Sequence, residues 1–401
     1  MSWEKVKLGD VSESCLGKML DQRKNKGTYK LYLANVNVRW GSFDLENLQK
    51  MKFEDDEDER YGIKYGDLII CEGGEPGRCA IWKEELPNMK IQKALHRVRV
   101  NEEMDYRYVY YWFFLAGKQG TLKQYYTGAT IMHMPGQKLK EVVIDKPPLG
   151  VQRRIGYYLE SFDNLIDNNQ KQIKLLEEAA QRLYNKWFVD LRFPGYEDVK
   201  IVDGVPEGWE KGRADSFFNI TIGKTPPRAE KQWFVKGDAG VPWLSISDMG
   251  NARIYAFATS EALTQEAIKK HNMKVVPSGT IFVSFKLTVG RVSIATTDMC
   301  TNEAIAHFYI ENDLQQAYTF CYLNNFKYDS LGNTSSISKA VNSKIIKAMP
   351  FVMPDKATIL AFSKLVVPIL NEIKNKQATC IKLAEARDRL LPKLMSGEIE
   401  V

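Results

Sequence analysis

Two stretches of the chain place an acidic residue beside proline at spacings that DNA-modifying enzymes use. Asp145-Lys146-Pro147-Pro148-Leu149 comes near the Asp/Asn-Pro-Pro-aromatic motif of amino methyltransferases, whose aromatic ring stacks on a flipped base. Here Lys146 intervenes, Leu149 replaces the aromatic, and no Gly-rich cofactor loop follows a strand. Pro354-Asp355 followed by Glu372-Ile373-Lys374 fits the Pro-Asp…Glu-x-Lys pattern of metal-dependent nucleases. That chemistry needs Glu-x-Lys on a strand beside the aspartate, whereas Ile373 belongs to a long helical stripe. The cysteines at 15, 71, 79, 300, 321 and 380 include no Cys-x-x-Cys pair, and the histidines show no ligand spacing. The sequence thus assigns this chain no catalytic residue, no metal and no cofactor.

Groups suited to binding a nucleic acid occur in matched pairs of places. Base edges are read by forked donors and amides, and phosphates by cations, hydroxyls and backbone N–H groups. Gly73-Gly74-Glu75-Pro76-Gly77-Arg78 is a tight turn whose counterpart, Phe285-Lys286-Leu287-Thr288-Val289-Gly290-Arg291, keeps Gly-Arg and changes the tip. Gly74, Arg78, Lys286 and Arg291 are therefore candidate contacts; the rival reading is a plain hairpin with a surface arginine. Thr127, Thr130 and His133 form one polar cluster, and Asn333, Thr334, Ser335 and Ser336 another, with helix capping as the rival use. Lys18, Arg23, Lys24 and Arg39-Trp40, against Lys224 and Arg228, make basic patches near aromatics. The acidic run Glu54 to Glu59 is expected to be a solvated loop facing away from phosphate.

The pairing of these sites follows from an internal duplication. Trp3-Glu4-Lys5 recurs as Trp209-Glu210-Lys211, and Gly17-Lys18 as Gly223-Lys224, at one shared offset. Gly66-Asp67-Leu68-Ile69-Ile70 matches Gly279-Thr280-Ile281-Phe282-Val283, and Gly77-Arg78 matches Gly290-Arg291. Ala94-Leu95, Tyr108, Gly128-x-Thr130 and Pro148 then pair in order with Ala304-Ile305, Tyr318, Gly332-x-Thr334 and Pro354. The chain is a tandem repeat of a unit of about 200 residues. Each unit opens with short apolar runs broken by Gly, Pro, Asn and Asp, which read as strands and turns with a few helices.

A long helix closes each unit. In the first, Ile155, Leu159, Phe162, Ile166, Asn169, Ile173, Leu176, Ala180, Leu183 and Trp187 follow in steps of four and three. The second stripe is Phe362, Val366, Ile369, Ile373, Lys376, Cys380, Leu383, Arg387, Leu390 and Leu394, with Lys376 polar where the first has Asn169. A helix of about 40 residues spans about 60 Å, more than a small globule needs for cover. The two helices are therefore expected to pair with each other. Only Phe193 to about Gly208 is available as a return connection, which favours an antiparallel pairing. The expected organisation is α+β: a globular domain at 1–148, a spacer helix at 149–193, a linker at 194–208, a second globular domain at 209–354 and a second helix at 355–401.

The net charge of +6 permits a polyanionic partner without requiring one. No apolar run long enough for a membrane span occurs, and Met1-Ser2-Trp3-Glu4-Lys5 lacks an apolar signal core, so a cytoplasmic protein is expected.

This layout resembles the specificity subunit of type I restriction–modification systems, over nearly the full length. The residues that carry the resemblance are Val205-Pro206-Glu207-Gly208-Trp209-Glu210, Gly223-Lys224-Thr225-Pro226, the segments Gly66 to Ile81 and Gly279 to Ile294, and Thr127-Gly128-Ala129-Thr130 with Gly332-Asn333-Thr334. Met19-Leu20 departs from the pattern where the second unit has Thr225-Pro226. The resemblance implies two target-recognition domains, each reading half of an asymmetric double-stranded DNA target. It also implies that the helices hold two modification subunits, which methylate adenine with S-adenosylmethionine, and that a restriction subunit can join them. A rigid spacer fits such a role, because each base pair advances a half-site by about 3.4 Å. The other reading is a non-enzymatic scaffold whose duplicated domains bind protein or another polymer.

Overall fold

The computed structural model describes residues 3–21, 25–332 and 341–401. The chain divides into two compact units, one of residues 1–166 and 382–401, the other of residues 167–381. The long helices are not separate bodies: each gives one part to each unit.

In the first unit an antiparallel sheet has the strand order Ser12–Leu16, Leu95–Val100, Leu68–Cys71, Cys79–Ile81. Leu68 to Cys71 are buried on both faces, which explains an unbroken apolar run where a half-exposed strand would alternate. Helix α1, Tyr106–Gln119, is capped by Asp105, whose carboxylate accepts from the Arg107 and Tyr108 backbone N–H groups. It packs Tyr108, Val109, Phe113 and Ala116 into the same core as Leu68, Ile70 and Val98. A smaller sheet joins Gln49–Phe53, Thr28–Leu33 and Lys90–Ile91.

The second unit repeats the plan. Its main sheet runs Ile220–Ile222, Ile305–Phe308, Ile281–Ser284, Val292–Ala295 and then Tyr255–Ala256, the last strand parallel to its neighbour. Leu33 pairs in parallel with Ile91 in the first unit, and Leu244 with Thr301 in the second. The duplication extends to single hydrogen bonds. Gly77 N–H donates to Cys71 O at 2.9 Å and Gly290 N–H to Ser284 O at 2.8 Å. Glu72 N–H reaches Ala94 O, and Phe285 N–H reaches Ala304 O, both at 2.9 Å. Met134 N–H binds Glu72 O at 2.7 Å, and Val341 N–H binds Phe285 O at 2.9 Å.

Helix α2, Leu149–Tyr184, starts directly after Pro147-Pro148 and ends in a short π-helical turn, Asn185–Val189. In the second unit Asp355 accepts from Thr358 N–H, Thr358 Oγ1 and Trp209 Nε1 at the start of helix α4, Lys356–Ser396. Helix α3, Asp313–Asn325, is the counterpart of α1. Within the first unit α2 and α4 run antiparallel: Arg154 Nε donates to Val401 O, while Asp163, further along α2, pairs with the earlier Arg387. Within the second unit Trp187 and Tyr184 lie against Phe362, while Ile173 shares a pocket with Gln377 and Cys380, so the segments are antiparallel there too.

Two expectations about the stripes are corrected. The helices do face each other, but each part is also built into the core of its own unit: Ile155 and Leu159 with Leu391 and Leu394 in the first, and Ile173, Ala180 and Trp187 with Val366 and Ile373 in the second. The buried places keep the seven-residue spacing, but in the second helix one of the two rows lies a residue further on than the stripe names. Leu370, Gln377 and Leu391 are buried where the stripe names Ile369, Lys376 and Leu390, which are half-buried. Phe162, Ile166, Asn169, Leu176, Leu183 and Leu383 are likewise half-buried. Lys376 turns along its own helix to Glu372 at 3.0 Å.

Candidate nucleic-acid interface

The two near-miss catalytic motifs occupy one repeated structural position. Asp145 ends in the strand Val143–Lys146, opposite Lys5, and its carbonyl accepts from Tyr108 Oη at 2.9 Å. In the second unit Tyr318 Oη donates to Val352 O on the matching strand Pro350–Met353. Both motifs are therefore strand-to-helix junctions with prolines at the break. Asp355 is spent on capping α4, and Glu372 stands 17 residues into that helix, about 25 Å away at 1.5 Å per residue. Burial pushes the Cys71 thiol up to about 11 and those of Cys300 and Cys321 up to about 12, the reverse of what a nucleophile or thiolate ligand needs. No group of acidic, His and Cys side chains that could hold a metal is present among the described residues.

In the first unit three segments converge on the tip of the hairpin after Cys71. Asn35 Nδ2 donates to Gly73 O at 2.9 Å, and Arg78 Nη2 donates to Asn35 O at 3.2 Å. Trp40 Nε1 donates to Glu75 Oε1 at 2.7 Å. Thr127 and His133 close a second hairpin through two backbone bonds, and His133 lies over Gly73, where a Cβ would sit 2.9 Å from its Nδ1. The sequence thus brings Arg39, Gly74, Arg78, Thr127, Thr130 and His133 to one surface. Gly74 has φ +74°, so glycine is favoured there for its backbone as well as for close approach. Arg39, Thr127, Thr130 and His133 are exposed, beside the exposed apolar side chains of Val36, Ile131 and Met132. Trp40 was expected only as the aromatic neighbour of Arg39, and Asn35, Val36, Ile131 and Met132 were not among the expected contacts; only their neighbourhood to Arg39 and Thr130 in the sequence marks them.

Lys18 is removed from the candidate set. It is 3% exposed, pairs with Glu57, donates to Lys52 O at 3.0 Å and lies 5.1 Å from the Phe53 ring centroid. The acidic run is also more than a solvated loop. Asp58 takes Lys30 at 2.8 Å and Lys90 at 3.0 Å; burial pulls its carboxyl up, but these two ammonium groups outweigh it and hold it below the ordinary value. The run neutralises lysines of its own unit.

In the second unit Arg291 Nη1 donates to Ile246 O at 2.8 Å, the counterpart of Arg78 on Asn35 O. Both Gly-Arg pairs therefore hold the hairpin against the segment that follows the parallel strand, and the rival reading of these arginines as hairpin residues fits that geometry. Lys286 is exposed at the tip. Lys224 is exposed along its stem while its ammonium donates to His271 O at 2.6 Å. Arg228 pairs with Glu261 at 2.7 Å and lies over Phe234 and Trp243 at 4.3 and 4.5 Å. Asn333, Thr334, Ser335 and Ser336 lie outside the described residues, as do Arg23 and Lys24.

A backbone frame held constant by matched bonds, with unlike side chains at its tips, occurs once in each unit and defines a duplicated two-module protein. A sequence profile described as the type I restriction modification DNA specificity domain matches twice, over residues 1–178 and 206–379. The chain belongs to that family. It is 32% identical to the type I restriction enzyme HindI specificity subunit of Haemophilus influenzae, with 99% of each chain covered. It is 28% identical to the MjaIX specificity subunit of Methanocaldococcus jannaschii, covering 84% of this chain and 78% of that one. A solved type I restriction–modification S subunit from M. genitalium shares the fold at a TM-score of 0.59 and 14% identity, covering 98% and 96% of the two chains. No helix among the described residues is long and apolar enough to cross a membrane.

Proposed function

We propose that this chain supplies DNA sequence specificity to a type I restriction–modification assembly and does no chemistry itself. Each unit reads one half of an asymmetric, two-part duplex target. The long helices set the spacing between the halves and dock two modification subunits, which methylate adenine with S-adenosylmethionine; a restriction subunit joins the same assembly for cleavage. The observation that carries this reading is the duplicated hairpin frame, equal in its hydrogen bonds from Cys71 and Ser284 onward and unequal at Gly74 and Leu287. Membership of the specificity family and the likeness to type I restriction enzyme specificity subunits support it.

Co-expression with its modification partner, followed by single-molecule mapping of methylated adenine, tests the reading. The expected result is methylation at one asymmetric bipartite motif that disappears without this chain. Exchanging residues 72–78 for the 285–291 tip is expected to alter one half-site and leave the other. A methylation pattern indifferent to the chain overturns the proposal. Lengthening α2 and α4 by one heptad each is expected to lengthen the unread gap; a gap of unchanged length removes the helices as its determinant.

A further inference from the structure

The hairpin tips share a left-handed backbone that only one of them fills with glycine. Counting back from the matched Gly77-Arg78 and Gly290-Arg291, Gly74 corresponds to Leu287. Gly74 has φ +74° and Leu287 φ +63°. An L-residue with a branched side chain is strained in this region, where glycine is not. Leu287 is also 70% exposed, so no burial within the chain compensates the strain. Leu191, at φ +55°, differs in packing against the core of the second unit. The fold alone therefore accounts for Gly74 and not for Leu287. Strained, exposed positions that persist inside a well-determined frame concentrate at binding sites.

The frame also fixes where this side chain stands. Phe285, two residues earlier, is buried and tied to Ala304 and Val341 by backbone bonds; Ser284 Oγ accepts from Arg291 N–H at 3.0 Å; Arg291 anchors the returning strand on Ile246 O. Lys286, next to Leu287, is exposed and places a cation beside the apolar tip. A lone aliphatic group offered next to a cation on a duplex-reading loop has one base-specific partner in the major groove, the 5-methyl of thymine.

We infer that Leu287 is a specificity-determining residue whose side chain contacts a thymine methyl in the half-site read by the second unit. The inference rests on the reading of this chain as a DNA specificity subunit. The first unit, with Gly74 at the same place, lacks this probe and reads a different base there.

The test uses the assembled complex of this chain with its modification partner. Each thymine of the mapped target is replaced in turn by deoxyuridine, which removes only the methyl group. Wild type is expected to lose about 4-fold in methylation rate at subsaturating DNA at one position of one half-site, the equivalent of burying one methyl-sized group. In L287G that loss is expected to vanish, and the methylome is expected to accept other bases at that pair. Because glycine relieves the backbone, the Tm of L287G is expected to be equal or higher, a readout that a structural leucine would move the other way. A deoxyuridine effect of equal size in both proteins, no effect at any thymine, unchanged base preference in L287G, or a lowered Tm each overturns the assignment. Failure of the wild-type complex to methylate any defined target instead overturns the specificity reading itself, and the Leu287 assignment with it.

Discussion

His307 sits wholly inside the second unit, with Thr221 Oγ1 at 2.9 Å from Nδ1 and Thr301 Oγ1 at 2.7 Å from Nε2. Burial, with a smaller contribution from Lys274, depresses its pKa to about 3. The unfolded chain takes up that proton near pH 6.5 and the folded chain does not. The stability associated with a neutral His307 is thus complete above pH 6.5 and lost as pH falls from there toward 3, at about 1.4 kcal/mol per unit. Between pH 7 and pH 5 the second unit is expected to lose about 2 kcal/mol, and H307Q to flatten that part of the curve in urea titrations at several pH values. An equal slope in wild type and variant would assign the loss elsewhere. Two candidate cations of the first unit, Lys18 and Arg39, divide just as sharply. K18M is expected to lower the stability of the first unit by about 2 kcal/mol through loss of its charged hydrogen bonds, with the salt dependence of DNA binding unchanged. Arg39→Ala is expected to leave the melting temperature alone and reduce the salt slope by about one. The sequence made these two cations look alike; what separates them is the return of Glu57 to Lys18, a contact between segments 39 residues apart.

At the scale of elements, repeats and periodicity told most. The strands at Leu68 and Ile281, the prolines before each long helix and the pairing of those helices were legible because they rest on local pattern and on self-similarity. The buried positions of the helices were less so, since a step of three or of four from Ile373 fits the pattern equally well, and the fold buries Gln377 and Leu370 in place of Lys376 and Ile369. Nor did an apolar stripe reveal the polar anchors. Gln152 is fully buried in α2, where its Oε1 accepts from Asp105 N–H at 2.9 Å and its Nε2 donates to Pro147 O at 2.8 Å and Glu103 O at 3.2 Å. Gln377 accepts one bond, from Tyr255 N–H at 3.2 Å. Both tie a long helix to its globule, but by different numbers of bonds. Q152L leaves three backbone groups without their side-chain partner, two of them buried, and is expected to cost about 3 kcal/mol, while Q377L leaves one and is expected to cost about 1 kcal/mol. Urea unfolding followed by tryptophan fluorescence checks the order; a costlier Q377L would contradict it.

On the scale of the whole chain, the first unit is closed by residues from the far end of the sequence. Leu391, Leu394 and Met395 are buried in a core with Ile155, Leu159 and Phe113. Arg387 pairs with Asp163 and Asp388, and lies 4.8 Å from the Phe114 ring centroid, while Lys118 also binds Asp388. Burial raises the Asp388 carboxyl, but hydrogen bonds from Lys118 and Arg387 outweigh it and hold it below the usual value, so the tie is kept at neutral pH and weakens as pH falls through that depressed value. Each buried aliphatic side chain contributes about 1.5–3 kcal/mol, and a domain as a whole is stable by only about 5–15 kcal/mol. Removing residues 382–401 is therefore expected to loosen the first unit nearly to unfolding, although its recognition loops lie before residue 135. The second unit, complete within 167–381, is expected to keep its protection. Hydrogen exchange read by segment distinguishes the two: amides of Leu68–Cys71 should exchange fast in the deletion while those of Ile281–Ser284 stay slow, and a peptide of residues 382–401 should restore the former. Uniform loss across both sheets, or none in either, would show that the units are not closed in this crossed manner. The same crossing gives the reading surface of one unit a dependence on the last helix of the other repeat, so an altered α4 is expected to weaken recognition of the half-site read by the first unit before that read by the second.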